Sequence, residues 1–188
     1  MTPAGNLLNH FDRIAGSEPN FHTISPDGAS PAMHVALYSG FPEPGAVTGF
    51  TIGLSHFHPS QGGHKELTIS MRSTEIEWAL ACGFTAYQLR ETCPFNCGDT
   101  VNFHEKISAS SGMNGFLVTH PAHIATNDAT VDLGFRKVEL VELVPLYEQE
   151  RLWILAGGNT SDLLQSCPRR DFMNPKRVPY SPPTIASS

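Results

Sequence analysis

Concentrated positive charge is scarce in this chain, and so is any stretch long enough to cross a bilayer. Lys and Arg number 12 against 18 Asp and Glu, a net charge of -6 with the histidines neutral. Gripping a nucleic-acid backbone requires clustered cations, so nucleic acid is excluded as the main ligand, and a basic protein partner suits the balance better. No run approaches the roughly 20 apolar residues of a spanning helix. Residues 1–6 lack the basic and apolar regions of a secretion signal. The expected location is therefore the cytoplasm, with no membrane contact. Only Cys82, Cys93, Cys97 and Cys167 occur, few and scattered as reduced cytosolic thiols would be. The Cys93-to-Cys97 spacing is neither the redox CxxC nor a complete zinc set. Glycine-rich phosphate loops, HExxH and the GxSxG nucleophile elbow are all missing. These absences shift weight from catalysis to binding, with no cofactor implied and no catalytic residue assigned.

What is present reads as α+β. Leu7, Leu8, Phe11 and Ile14 recur at helical spacing and Gly16 follows, which predicts a short amphipathic helix over residues 5–15. A loop rich in Pro, Gly and Ser is expected over 17–32. Strands are predicted at 33–39, 47–57 and 64–71. In the last of these, Leu67, Ile69 and Met71 alternate with Glu66, Thr68 and Ser70, giving one core face and one polar face. Thr74 is a plausible N-cap, and Ile76, Leu80, Gly83, Phe84 and Tyr87 then mark one face of a helix. Shorter strands are predicted at 100–104 and 115–119. A further strand is predicted at 137–147, where β-branched content outweighs a helical alternative. Helices at 148–156 and from Asn159 or Thr160 through Leu164 follow. From Pro168 onward the prolines predict an extended tail, poorly ordered at its end. The expected organisation is an N-terminal helix and loop (1–32), one domain (33–180) and a disordered tail (181–188). Strict strand–helix alternation is absent, so a mixed sheet flanked by helices is favoured over a doubly wound sheet.

Three histidines, His56, His58 and His64, flank one loop, with Glu66 close in sequence. Three imidazoles with an open position would suit a zinc-dependent hydrolase. Two glycines in the loop argue instead for a solvated hairpin, since a flexible loop does not preorganise a metal.

Several segments together resemble the suppressor of fused domain. They are Gly49-Phe50-Thr51-Ile52-Gly53-Leu54-Ser55, Lys65-Glu66-Leu67-Thr68-Ile69, the helix from Glu77-Trp78 to Tyr87, Cys97-Gly98-Asp99-Thr100-Val101, Gly115-Phe116-Leu117-Val118-Thr119, and residues 138–164 with Val144-Pro145-Leu146-Tyr147. The resemblance runs from about Met33 to Tyr180. It implies a mixed sheet flanked by helices, like the N-terminal domain of the family, and no catalytic activity. The family's animal member clasps a short peptide as an added strand between two domains, and bacterial members commonly resemble immunity proteins that neutralise a polymorphic toxin. The family's peptide-contacting pattern implies roles for Tyr87 and Asp99. Trp78, lying off the predicted apolar line, and the acidic Glu91 complete the expected partner-binding set. The expectation is a non-enzymatic immunity protein whose partner is a toxin domain with a basic surface. The alternative is an adaptor that takes up a partner strand at an open sheet edge beside Tyr87.

Overall fold

A computed structural model describes residues 2–26, 28, 31–57, 63–166 and 169–181. Its centre is an eight-stranded mixed sheet: β1 (Asn20–Ile24), β2 (Met33–Ser39), β3 (Val47–Ile52), β4 (Lys65–Met71), β5 (Thr100–Asn102), β6 (Gly115–Thr119), β7 (Thr130–Asp132) and β8 (Lys137–Leu146). The strand order is β1-β2-β3-β4-β8-β6-β5, and β7 pairs with the start of β8. All pairs are antiparallel except β4 with β8, whose register sets Lys65 opposite Glu139. Five α-helices lie among the described residues: α1 (Pro3–Ala15), α2 (Glu77–Leu89), α3 (Glu148–Leu155), α4 (Thr160–Ser166) and α5 (Arg169–Phe172).

Helices cover both faces of this sheet. On one, α2 shares a core with Val35, Val47, Leu67, Ile69, Met71, Val141 and Leu143. On the other, Leu7 and Phe11 of α1 pack on Tyr38, Phe50, Val138 and Leu140, with the Phe11 and Phe50 rings stacked 4.5 Å apart. Further along the same face of β8, Val144 and Leu146 pack with Leu117, Leu163 and Phe172. This two-sided cover overturns the expected polar face of β4. All seven of its residues are buried, Glu66, Thr68 and Ser70 included. A central strand has no solvated side, so Glu66 and Ser70 find their partners inside the protein, whereas the Thr68 hydroxyl has none among the described residues. Thr48 and Ser70 share a hydroxyl hydrogen bond of 2.8 Å.

Helix α2 departs from its predicted orientation. The surface against the sheet carries Ala79, Cys82, Gly83 and Ala86, and Trp78 is fully buried beside them. Leu80 and Phe84 are only half-buried, and Ile76 is exposed. Small residues allow close approach and so win the contact over the larger apolar stripe. A Cβ on Gly49 of β3 would lie 2.6 Å from the Ala79 carbonyl oxygen, and one on Gly83 would lie 2.4 Å from Val35 Cγ2. The helix also starts later than expected, at Glu77, with no side-chain cap.

Other boundaries shift for local reasons. The third strand ends at Ile52, because Gly53 adopts φ 125° and a 3-10 turn, Leu54–His56, follows. β1 falls inside the predicted loop; its residues are mostly exposed, and pairing with β2 defines it where hydrophobic pattern does not. The strand β7 and helix α5 were likewise not expected. Nor is the chain after Pro168 simply an extended tail. Phe172 and Met173 are buried, the Arg72 amide donates to the Met173 carbonyl at 2.7 Å, and Tyr180 packs edge-on against Trp153. Residues 182–188 lie outside the described residues. Among the described residues no helix is long and apolar enough to cross a membrane.

Candidate protein-binding face

β5 ends the sheet. Among the described residues it has β6 on one side and no strand on the other. The Phe103 amide donates to the Asn114 carbonyl at 2.8 Å, and Val101 is paired with Phe116. Backbone groups alternate in direction along a strand, so those of Thr100 and Asn102 face away from β6. Just past the end of β5 lies a groove of about 310 Å³ between α2 and residues 103–107, lined by Leu80, Phe84, Gln88, Phe103 and Ile107. Glu77, Glu105 and Lys106 stand on its walls. An open backbone edge next to an apolar trough is the geometry that accepts an extended peptide: main-chain bonds supply affinity and the trough takes alternate side chains.

The loop leading into β5 is firmly anchored. Lys65 is buried, and its ammonium donates to the carbonyls of Pro94 and Phe95 and to Asn96 Oδ1, each at 2.9 Å. The Gly98 amide donates to the Val118 carbonyl, and the Val118 amide to that of Asp99, both at 2.9 Å. Asp99 is half-buried, and its Oδ2 accepts from the Asn96 amide at 2.7 Å, closing the turn. One carboxylate oxygen of Asp99 is thus committed to its own loop.

The four expected contact residues do not form one exposed cluster. Asp99 sits at the entrance to β5. Tyr87 is 6% exposed, on the core side of α2, with the Arg90 guanidinium 4.1 Å from its ring centre. Glu91 is exposed just beyond the end of α2. Trp78 has no exposed surface and belongs to the core, so a partner cannot touch it without opening that core. Leu80, Phe84 and Phe103, which line the groove, were assigned to core or left unassigned by sequence reasoning. The half-exposure of Leu80 and Phe84 comes from the rotation of α2, which periodicity does not encode.

Glu75, at the approach to α2, is held by the hydroxyls of Ser108 and Ser110, the latter at 3.0 Å. The Ser108 hydroxyl above all, then that of Ser110, keeps its carboxyl below the ordinary value. Among the described residues the histidines do not assemble a metal site. His56 lies in the 3-10 turn with Nδ1 3.3 Å from the Gly53 carbonyl, and His64 Nδ1 is 2.8 Å from the Ser55 carbonyl. A carbonyl only accepts, so both Nδ1 atoms carry protons. His58 lies outside the described residues, and among those described no three His, Cys, Asp or Glu side chains are placed to hold a metal ion. Cys82, Cys93 and Cys97 are free thiols. Burial raises the pKa of all three, with Glu139 and Asp99 adding to the effect at Cys97.

Comparison with known proteins agrees with this architecture. Residues 30–178 match the profile of the suppressor of fused protein (SUFU) family. A Neisseria gonorrhoeae protein assigned as a SUFU homologue superposes with a TM-score of 0.72 at 17% identity, over 93% of this chain and 94% of that one. A chain of the Sufu–Fu complex gives 0.67 at 15% identity, over 93% and 90%. Drosophila Suppressor of Fused gives 0.54 at 14% identity, over 77% of this chain and 42% of the fly protein. A search of curated sequences returns no match.

Proposed function

The chain belongs to the suppressor of fused protein (SUFU) family, and we propose that it is a non-enzymatic protein-binding module that takes up an extended segment of its partner along β5. The observation carrying this reading is the open edge of β5 beside the trough of Leu80, Phe84 and Phe103. The partner strand hydrogen-bonds to the outward backbone groups of Thr100 and Asn102. Its alternate side chains enter the trough, and Asp99 and Glu91 meet basic groups at the ends of the segment. A structure of a Sufu–Fu complex, similar in fold, is consistent with protein binding as the common activity.

The partner we assign is a toxin domain with a basic surface, which makes the chain an immunity protein working in the cytoplasm. The net charge of -6 supports this, because complementary charge speeds encounter and suppresses wrong partners. The test is co-expression with the products of neighbouring genes, followed by affinity capture. The expected outcome is a stable complex with a toxin and protection of the host cell. Thr100→Pro removes an outward N–H while leaving the pairing with β6, and should weaken capture by at least about tenfold. Unchanged capture by this variant would discard strand uptake, and no binding by any neighbouring product would discard the immunity role.

A further inference from the structure

Six arginines have described side chains, and four of them sit against a carboxylate: Arg13 on Asp128, Arg72 on Glu43, Arg151 on Glu148 and Arg177 on Glu150. Arg90 and Arg136 meet no carboxylate among the described residues, in a chain where 18 acids outnumber 12 bases. Both are seated on aromatic rings instead. The Arg90 guanidinium carbon lies 4.1 Å from the Tyr87 ring centre and 5.4 Å from that of Phe57. That of Arg136 lies 5.1 Å from the Phe135 ring, and its Nη2 reaches Ser55 Oγ at only 3.5 Å. Ser55 and Phe57 are two residues apart, so the segment formed by the 3-10 turn and the residue after it touches both guanidiniums.

That segment is a rigid platform. Beneath it, Glu66 accepts from the amides of Gly53 and Ser55 at 3.0 Å, from that of Leu54 at 3.3 Å and from Thr51 Oγ1 at 2.7 Å. Stacking occupies the faces of the guanidiniums but leaves the donors, which lie in the plane, directed along the edges. Arg90 uses Nη1 on the Tyr87 carbonyl, and Nε of each arginine has no acceptor among the described residues. Nε of each is shut off from solvent, so an incoming planar two-oxygen acceptor is met at the outer Nη groups.

We propose that Arg90 and Arg136 form a two-point receptor for the carboxylates of an acidic protein segment. It goes beyond strand uptake, since it needs neither the backbone edge of β5 nor the trough. Glu91 next to Arg90, and Asp132 in the hairpin that carries Arg136, cap the negative charge the site can accept. A few carboxylates therefore suit it, whereas a nucleic acid would bring a charge with every phosphate against an acidic surface.

The test is fluorescence anisotropy of a labelled hexaglutamate peptide at low ionic strength, with hexalysine as control. Saturable, salt-sensitive binding of hexaglutamate is expected, weakened at least about tenfold by Arg90→Gln and by Arg136→Gln. Arg90→Lys should restore it only in part, because an ammonium lacks the planar fork. Thr100→Pro should leave it unchanged, which separates this site from the reading of β5. Equal binding to the wild type and the double glutamine variant, or no saturable binding, overturns the proposal. Should the variants fail to fold, NMR of the wild-type arginine Nε–H groups decides: two resonances must shift on titration with hexaglutamate, and their constancy refutes the site.

Discussion

Replacing Glu150 by Ala is the most informative single change to the fold. Glu150 and Arg177 are 1% and 5% exposed. Their two-pronged contact measures 2.5 and 2.6 Å. The carboxylate also accepts from the Tyr147 amide at 2.9 Å and the Tyr180 amide at 2.7 Å. The guanidinium donates to the Pro145 carbonyl at 3.0 Å and lies over Phe172 and Tyr147. This pair therefore ties the C-terminal segment to the start of α3 and the end of β8. Removing the carboxylate leaves a buried cation unpaired, at about 3–5 kcal/mol. For a domain of this size each kcal/mol moves the midpoint by about 2–4 °C, so thermal denaturation followed by circular dichroism should show a fall of roughly 6–20 °C. The double change Glu150→Leu with Arg177→Met should recover part of that loss, because it removes the stranded charge but not the two stranded amides. A fall below about 2 °C for Glu150→Ala, or a double variant weaker than the single, would refute the reasoning.

Gly49→Ala forces a methyl group to within 2.6 Å of the Ala79 carbonyl and should cost about 1–3 kcal/mol, read as a lower urea midpoint; an unchanged midpoint would contradict the close approach of α2. The Glu75 carboxyl is held below its ordinary 4.5, chiefly by the Ser108 hydroxyl. Its contribution to stability is thus complete above that value and lost as pH falls through the folded one. Ser108→Ala should accordingly lose less of its thermal midpoint than the wild type between pH 5 and pH 3; parallel curves would count against the contact. Cys82 is buried and its thiol is pushed well up, so native-state iodoacetamide should leave it unmodified while the exposed Cys97 reacts, faster as pH rises. Mass spectrometry of tryptic peptides checks this, and labelling of Cys82 at the rate of Cys97 would exclude a closed core.

Much of the architecture was legible in the chain. β2 and β6 have the predicted bounds, α3 ends within one residue of its prediction, and the apolar spacing of Leu7 and Phe11 identifies the buried side of α1. These features depend on local periodicity and on turn residues, which any window of sequence displays. β1 was illegible because an exposed edge strand carries no alternation, and apart from Ile24, which joins the core, it is held by hydrogen bonding to β2. The candidate face was legible only at Asp99, whose Gly-Asp motif marks the entry to β5.

By itself the sequence determined the element types, the mixed α+β class, the acidic balance and the family. Tertiary structure alone decided which side of α2 meets the sheet, that both faces of β4 are buried, and that Trp78 is enclosed while Leu80 and Phe84 border a groove. Each of those outcomes depends on how closely two backbones approach. That distance is set by pairs such as Gly49 and Ala79, thirty positions apart in the chain, whose meeting no local pattern records.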